Sequence, residues 1–452
     1  MSSQLTLGIV DFVDELVVAI TNSRIYSPDH PRVIASVTAL CEQLRDQLGT
    51  DGPSELVLGA TGEFLFYDQR PLIGASLSGN RILEALARLD SGGLSFSNWA
   101  NEDDMRIVVG MLGRQRVDAA NYSEANDLLD QLGCSSIRFL PSYTETGLGP
   151  GGGAVVNGPP KLDTPEIPIG VYKRLVDHLQ DTLVRVCHGT LLDTTETMSL
   201  VELILHQLAT DTARMMSVSR YERYDAYTFG HSIRVAVLAL NYASALTLDD
   251  EVLRKIGMAA LLHDIGKARV PFEILHSTKR LDADERAEMN KHTLHGGEIL
   301  LEQELPEPVA VATAFGHHRT TDQGGYPGLL HEHPLSVATR VVKICDVYEA
   351  LTAVRPYKDR MSPMRAYRIM MSMGRHFDLN LLRRFIEING IYPVGSSVQL
   401  LDGATARVTS QTDSLLFPIV QIEGEDFDPI DLRKSTGPKG RHIERLLIET
   451  QI

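Results

Sequence analysis

The sequence predicts a multidomain protein with an α+β domain at the N-terminus, an all-α helical domain in the middle and a small β unit near the C-terminus. Three observations predict this order. A Gly- and Pro-rich stretch over 147–169 reads as a linker between two parts of the chain. Apolar residues recur at three- and four-residue steps through most of 170–390, whereas residues in 391–432 alternate between apolar and polar.

Composition places the chain among globular proteins. Of its 452 residues, 43% are hydrophobic and 23% are charged, which excludes the disordered and fibrous classes. The formal net charge of −16 disfavours a nucleic acid polymer as the main partner. A small anionic substrate stays compatible with this charge, because a bound metal can reverse the field locally.

The compartment is predicted from what the sequence lacks. Its four cysteines are scattered without a CxxC pair, which indicates neither a disulfide framework nor a zinc-thiolate site. The N-terminal stretch MSSQLTLGIVDFVDEL has acidic residues among its apolar ones and no basic region before them. No apolar run reaches about 18 residues, the length that a membrane span needs. We therefore expect a cytoplasmic protein that does not contact a membrane.

Residues 1–146 make up the predicted α+β domain. Apolar periodicity predicts helices over 7–25, 33–48, 79–89 and 123–132. Strand-like runs occur at 55–59, 63–67 and 136–140. Gly62 is expected to turn the first two strands into a hairpin. No motif here carries chemistry, so we interpret the domain as a packing and dimerisation module that would give a homodimer, with a regulatory input as the alternative.

Residues 170–390 make up the predicted helical domain. Apolar periodicity predicts helices over 172–186, 198–216, 231–245 and 250–262. Asp282 and Glu285 have the spacing of a capping box, which predicts a helix that runs through His292 and beyond. Pro363 suits the first turn of a further helix.

The chain changes character after residue 390. Alternating or β-branched runs are found at 398–401, 406–409 and 418–422. The dipeptide Asp402-Gly403 supplies a turn between the first two runs. These features predict a small β unit over 391–432. The remaining residues, 433–452, are basic and then helix-like, so we expect a solvated tail that contains a helix.

Histidine placement is the strongest chemical signal. Eight of the 15 histidines fall within 263–333. A metal site needs histidine and carboxylate ligands that converge from several elements. The candidates that the sequence spaces over successive helices are His231, His263, Asp264, His292, His317, His318 and Asp346.

His263 and Asp264 form the most specific of these motifs. They end a strongly apolar helix, where buried polar groups are costly unless they are paired or bind a metal. Gly266 lets the chain turn away, and Lys267 follows directly. Taken alone, His231 is more typical of a histidine whose hydrogen bonds are satisfied within the protein, or of a surface histidine.

The remaining candidates leave alternatives open. His295 lies one helical step from His292 and competes with it for the role of ligand. His317 and His318 are adjacent, and adjacent side chains on a helix point about 100° apart, so the two could serve neighbouring metals. Asp346 stands in an apolar run, where a hydrogen bond to the backbone is the alternative to a metal.

Together the motifs resemble one known family. His231, HDIGK at 263–267, His292, HH at 317–318, DQGGYP at 322–327 and DVYEALTAVRPY at 346–357 follow in order. The segment of about 220–390 therefore resembles an HD-GYP domain, a branch of the HD metal-dependent phosphohydrolases associated with cyclic di-GMP hydrolysis. The resemblance implies an all-α HD-type fold and an enzyme that opens cyclic di-GMP to the linear dinucleotide, with GMP as a further product left open.

The resemblance also implies roles for individual residues. The metal ligands would be His231, His263, Asp264, His292, His317, His318 and Asp346. Asp264 would bridge two divalent metals, and Lys267 would lie near the scissile phosphate, which makes these two the expected catalytic residues. Arg355 and Lys358 would bind phosphate. Gly324, Gly325, Tyr326 and Pro327 would form the loop that gives the family its name, and the last three are expected to contact substrate.

This chemistry agrees with elementary principles. Two metals about 3.5–4 Å apart can activate a nucleophile at neutral pH and neutralise charge on phosphoryl oxygens. Imidazole and carboxylate ligands suit iron, manganese or zinc better than calcium, and iron or manganese is expected here. Some family members carry a glutamate for a third metal four residues before His231. That position is Tyr227 here, which favours two metals.

One departure from the family motivates an alternative function. Gln323 stands where the family loop usually has glycine, and it would be strained if that position requires a positive φ. A loop altered in this way could bind cyclic di-GMP without cleaving it, which would make the protein a non-catalytic receptor. The third hypothesis is another HD-type phosphohydrolase acting on a different nucleotide.

Overall fold

We analysed a computed structural model of the chain. It describes residues 2–49, 54–61, 64–68, 70–113, 119–142, 169–218, 229–275, 277, 279–328, 333–353, 361–424, 428–434 and 442–447. The chain divides into two compact units, Met1–Pro165 and Glu166–Ile452. In the described part of the chain, no helix combines the length and the apolar character needed to cross a membrane.

The first unit combines helices with one antiparallel sheet. Its helices are α1 (Ser2–Ile25), α2 (Pro31–Leu48), α3 (Ile73–Ser78), α4 (Asn80–Arg88), α5 (Glu102–Gly113) and α6 (Tyr122–Gln131). Its strands are β1 (Glu55–Thr61), β2 (Phe64–Tyr67), β3 (Arg70–Pro71), β4 (Ser91–Ser97) and β5 (Ile137–Pro141). The sheet has the order β3-β2-β1-β4-β5, with Leu58 opposite Leu94. Phe12, Leu40 and Phe96 are buried in a continuous core of helix and sheet residues.

The sequence did not predict strand β4 or helix α5. β4 reads SGGLSFS, and its glycines hide the alternation that marks a strand. The structure explains them by close approach, since a Cβ on Gly92 would lie 2.3 Å from the carbonyl oxygen of Pro141. A Cβ on Gly93 would lie 2.3 Å from that of Leu58. Small residues are therefore required where β4 lies between its two neighbours.

The second unit is mainly helical. Its helices up to the middle of the unit are α7 (Ile169–Cys187), α8 (Thr194–Thr210), α9 (Thr212–Val218), α10 (Phe229–Ser244), α11 (Asp250–Leu262) and α12 (Phe272–Leu275). They are followed by α13 (Ala283–Asn290), α14 (His292–Leu301), α15 (Pro308–Gly316), α16 (Val337–Thr352), α17 (Pro363–Ser372) and α18 (Leu379–Asn389). Helix α10 is buried over nearly its whole surface and forms the centre of the unit.

Two expected helices are divided in the structure. The helix predicted over 198–216 breaks at Asp211, whose carboxylate accepts a hydrogen bond from the backbone NH of Arg214 (2.9 Å) and caps α9. The capping box of Asp282 is present, but its helix α13 stops at Asn290 and His292 begins α14. The new direction lets α14 approach the 3₁₀ turn Ile265–Arg269.

The approach of α14 depends on one glycine. A Cβ on Gly266 would lie 1.9 Å from the carbonyl oxygen of His292 and 2.3 Å from the backbone nitrogen of Gly296. The two backbones are therefore in direct contact at the turn that follows His263 and Asp264. A continuous helix through His292, as the sequence predicted, would not lie against that turn.

A second antiparallel sheet lies at the C-terminal end of this unit. Its strands are β6 (Ser397–Leu400), β7 (Thr405–Ser410), β8 (Ile419–Ile422), β9 (Ile430–Asp431) and β10 (Ile443–Leu446), in the order β10-β6-β7-β8-β9. Gly403, with φ of 87°, occupies the turn between β6 and β7. Val398, Val408 and Val420 form the centre of its small core.

The expectation of a helix in the tail 433–452 is wrong for residues 443–446, which form β10. Ile443 and Leu446 are three positions apart, which is a helical spacing on the sequence. In the structure the pairing of β10 with β6 shifts register between Ile443 and Arg445. Such a bulge changes the alternation of a strand, so both apolar side chains pack against the sheet core.

Candidate metal centre

Seven polar side chains converge at the middle of the helical unit. They are the seven candidates of the sequence analysis, His231, His263, Asp264, His292, His317, His318 and Asp346. Helix α11 ends at Leu262, directly before His263 and Asp264, and helix α15 ends at Gly316, directly before the two adjacent histidines. The ends of two apolar helices thus bring four of the seven side chains to one point.

Asp264 lies at the centre of this cluster. Its Oδ2 atom is 3.7 Å from Nε2 of His231 and 3.4 Å from Nε2 of His263. Its Oδ1 atom is 3.5 Å from Nε2 of His292 and 3.7 Å from Nε2 of His317. One carboxylate oxygen therefore faces each pair of imidazoles, so Asp264 could contribute to holding a cation in either group.

The ligand atoms fall into two groups that could each hold a metal. One group contains His231, His263 and Asp264, and the other contains the remaining three histidines. Within each group the ligand atoms lie within 4.8 Å of one another. Asp346 is adjacent to the first group, with its Oδ1 atom 3.2 Å from Nε2 of His231.

The structure differs from the sequence prediction for the adjacent histidines. In a helix the side chains of His317 and His318 would point apart, which left open that they serve neighbouring metals. Instead their ring centroids are 4.2 Å apart, and both belong to the group that contains His292. The 100° rule applies within a helix, whereas these residues follow the last helical residue of α15.

Hydrogen bonds to the backbone orient three of the imidazoles. The Nδ1 atom of His263 donates to the carbonyl of Ala260 (2.7 Å), and that of His292 donates to Met289 (2.7 Å). His317 Nδ1 lies 3.0 Å from the carbonyl of Ala314. With Nδ1 used in this way, Nε2 of each ring carries the lone pair and faces the centre.

Two buried atoms at this point have no hydrogen-bond partner within the described residues. They are Nε2 of His263 and Oδ1 of Asp264. Leaving a buried polar atom unsatisfied costs about 1–3 kcal/mol, and such atoms in a native structure call for an explanation. A cation between the imidazoles and the carboxylate would satisfy both atoms, so the residues present fit a metal.

Charge states in the metal-free protein also suit a cation. Burial lowers the pKa of His292, lowers that of His317 well below its ordinary value, and lowers that of His318 to about 4, so all three are neutral at neutral pH. Burial alone would raise the pKa of Asp264, but Lys267 and His263 hold it well below its ordinary value. The site therefore offers three neutral imidazoles beside an ionised carboxylate.

His231 differs from the other histidines. Burial would lower its pKa, but the carboxylates of Glu349 and Asp346 raise that pKa to about 9. Its Nδ1 atom is 2.5 Å from a carboxylate oxygen of Glu349, whose other oxygen accepts a hydrogen bond from Nε of Arg234. In the metal-free protein this imidazole is charged and lies among three carboxylates, Asp264 included.

The loop at 322–327 lies against the second group of histidines. The ring of Tyr326 is 4.7 Å from that of His318 and 6.1 Å from that of His292. Gly325, with φ of 77°, forms a bridge with Arg319. Gln323 has φ of 67°, which is the conformation that the sequence analysis identified as strained for this residue.

Comparison with known proteins matches the helical segment. Residues 207–381 match a family model described as HD domain. Cyclic di-GMP phosphodiesterase PA4108 of Pseudomonas aeruginosa is 35% identical over 235 residues, which are 52% of this chain and 57% of that protein. The response regulator RpfG of Xanthomonas campestris, also named a cyclic di-GMP phosphodiesterase, is 35% identical over 35% of this chain and 42% of its own length.

These matches support the assignment of this segment to the HD-GYP family, which its motifs predicted. HD domains of this kind are metal-dependent, and both groups of residues in the HD-GYP segment could hold a cation. A third relative, 3'3'-cGAMP-specific phosphodiesterase 2 of Vibrio cholerae, is 36% identical over 35% of this chain and 31% of its own length. The chain thus spans between about a third and three fifths of these relatives.

Some expected residues of the HD-GYP segment lie outside the described part of the chain. Arg355 and Lys358 fall within 354–360, and Tyr227 falls within 219–228. Their roles stay predictions. Lys267 is described, and its ammonium group donates a hydrogen bond to Oδ2 of Asp264 while the side chain stays 21% exposed. It lies where the buried centre meets the surface.

Sequence reasoning missed three charged residues around the site. Glu349 and Arg234 contact His231 as described above, and the ammonium group of the buried Lys343 donates to the carbonyl of His317 (3.2 Å). A signal for two of them was present, because Arg234 follows His231 by three positions and Glu349 follows Asp346 by three. Side chains with this spacing lie on one face of a helix.

Proposed function

We propose that the protein is a metal-dependent phosphodiesterase that hydrolyses cyclic di-GMP to the linear dinucleotide. The observation that carries the proposal is the position of Asp264, with one carboxylate oxygen facing each of two groups of imidazoles. The names of relatives that share the HD-GYP segment support the choice of substrate.

The proposed cofactors are two divalent cations, iron or manganese. His231, His263 and Asp346 would hold one of them, and the remaining three histidines would hold the other, with Asp264 shared. A pair of such cations supplies an activated nucleophile at neutral pH and offsets the charge of a phosphodiester.

The chain's own residues would bind and orient the substrate. Lys267 is partly exposed beside Asp264, so its ammonium group can contact a phosphate oxygen as a point charge. Arg355 would offer a planar fork for a second phosphate contact, and Lys358 a point charge. The ring of Tyr326 borders the second group of histidines, so the loop of Gly325, Tyr326 and Pro327 would form one wall of the substrate site.

The test is turnover by the purified chain loaded with Mn²⁺ or Fe²⁺. Cyclic di-GMP, 3'3'-cGAMP and mononucleotides would be incubated separately and the products separated by chromatography. We expect the linear dinucleotide from cyclic di-GMP, and loss of turnover in Asp264→Asn. Asp104→Asn is the matched control, because Asp104 is a buried carboxylate of the first unit that accepts a hydrogen bond from Ser136.

Other outcomes would select the alternatives. Binding of cyclic di-GMP without turnover under either metal would indicate the non-catalytic receptor that Gln323 suggested. Preference for 3'3'-cGAMP would indicate the substrate that the name of the Vibrio relative gives. Turnover of mononucleotides alone would indicate another HD-type phosphohydrolase.

A further inference from the structure

Three contacts connect four charged or polar side chains of two helices that pack together, α10 and α16. His231 and Arg234 lie one turn apart on α10, and Asp346 and Glu349 lie one turn apart on α16. His231 contacts both acids, with Nε2 3.2 Å from Asp346 and Nδ1 2.5 Å from Glu349. Arg234 contacts Glu349 through Nε at 2.5 Å.

Glu349 is almost completely buried, with 2% of its surface exposed. A buried carboxylate is costly unless its oxygens are paired. Here each oxygen has a partner, since Oε1 accepts from Arg234 and Oε2 accepts from His231. The pairing fixes the carboxylate at a defined distance behind the imidazole, on the side opposite to Asp264.

The way in which His231 is oriented differs from that of its neighbours. The Nδ1 atoms of His263, His292 and His317 lie within 3.0 Å of carbonyl oxygens three residues earlier in the chain. His231 instead uses a carboxylate that a different helix supplies. Its ring orientation therefore depends on two side chains that do not themselves face the centre, Glu349 and Arg234.

We propose that Glu349, held in place by Arg234, positions His231 as a metal ligand. When Nδ1–H donates to the Glu349 carboxylate, Nε2 carries the lone pair that points toward Asp264 and Asp346. A carboxylate on the far side of a ligating imidazole also increases its basicity and thus its strength as a ligand. The inference rests on the proposed function, because it assumes that the site binds two cations.

The two groups of the site should respond differently to a change at Glu349. His231 belongs to the group that contains His263 and Asp264. In the described part of the chain, the Glu349 carboxylate contacts His231 and Arg234, and through His231 it reaches this group. Loss of the carboxylate should therefore weaken the binding of one cation and leave the binding of the cation in the other group unchanged.

The experiment is a Mn²⁺ titration of the metal-free full chain by equilibrium dialysis, with wild type, Glu349→Gln and Arg234→Gln side by side. We expect two Mn²⁺ ions in wild type. In Glu349→Gln the affinity for one ion should fall about 10–100-fold, the usual effect of losing a partner behind a metal ligand, while the other is retained. Arg234→Gln should lower the affinity for the same ion by a smaller factor.

Two further variants separate positioning from stability. Asp104→Asn removes a buried carboxylate of the first unit and should bind both ions as wild type does. Glu349→Asp keeps the charge beside Arg234 but shortens the reach to His231, so it should weaken the same ion even if Glu349→Gln does not fold. Circular dichroism would verify that each variant tested is folded.

Three results would overturn the inference. They are wild-type affinity for both ions in Glu349→Gln or Glu349→Asp, equal weakening of both ions, and fewer than two Mn²⁺ ions in wild type. Failure of the proposed function can be distinguished from these results. In that case wild type would not turn over cyclic di-GMP, whereas the Mn²⁺ titration would still show two ions and a selective effect of the Glu349 variants.

Discussion

The ring of Tyr326 lies 4.7 Å from the ring of His318, with 31° between the two planes. The contact connects a surface loop directly to one of the two groups of imidazoles. The backbone is equally close, because a Cβ on Gly325 would lie 2.2 Å from the carbonyl oxygen of His318. The loop and the pair of adjacent histidines are therefore in contact through both side chain and backbone.

Gly325→Ala should disrupt this contact. The new methyl group would clash with backbone and would also occupy a position with φ of 77°, so we expect a loss of about 2 kcal/mol or more in unfolding free energy. Turnover should fall at least about tenfold, or about 1.4 kcal/mol in the activation barrier, because the displaced loop borders the adjacent histidines. Gly328→Ala is the control, since a Cβ there meets no atom within 4 Å. Equal behaviour of the two variants in urea unfolding and turnover would contradict the prediction.

Gln323 provides a test of backbone strain in the same loop. Its φ of 67° favours glycine, but its side chain accepts a hydrogen bond from Arg319 (3.1 Å). Both Gln323→Gly and Gln323→Ala lose that bond, and only the alanine variant keeps the strain. Gln323→Ala should therefore be less stable than Gln323→Gly by about 1 kcal/mol in urea unfolding. Turnover in Gln323→Gly should equal or exceed that of wild type, and a collapse in rate would give Gln323 a role of its own.

Asp264→Asn and His263→Ala should have different effects on metal content. Asp264 contacts both groups of imidazoles, whereas His263 belongs to one. Asp264→Asn should lower the affinity for both Mn²⁺ ions at least about tenfold, and His263→Ala should lower the affinity for one of them. Helix content by circular dichroism should stay near that of wild type in both. Unchanged metal stoichiometry in either variant would show that the ligand assignment is wrong.

The metal-free protein should lose stability in alkali through His231. Its pKa of about 9 lies above the ordinary value of 6.5, because Glu349 and Asp346 outweigh the effect of burial. A raised pKa contributes stability that is complete below about pH 6.5 and is lost as the pH rises through 9. With a chelator present, the unfolding free energy of wild type should fall more steeply over this range than that of His231→Asn. Parallel curves for the two proteins would contradict the assignment.

Local structure was predictable where side chains act on their own backbone. Asp249 caps the helix that begins at Asp250, and Asp282 with Glu285 forms the expected capping box. Pro363 occupies the first turn of α17. Prediction failed where a distant contact decides the outcome, as for the bulge that places Ile443 and Leu446 on one side of a strand.

The same distinction applies to the site. The seven candidates were chosen from the sequence, and the structure brings all of them together. The grouping of His317 with His318 and the bond between His231 and Glu349 were not predicted. The grouping depends on where α15 ends, and the bond depends on how α10 packs against α16. Local sequence patterns reveal neither of these.

Strand β10 has a practical consequence for shortened versions of the protein. Its backbone pairs with one side of β6, and the NH of Leu447 donates to the carbonyl of Ser397 (2.9 Å). Truncation before Ile443 would leave that side of β6 bare, and an unpaired strand edge is a template for association with another molecule. Shortened forms made for crystallisation should therefore keep residues 443–447 if aggregation is to be avoided.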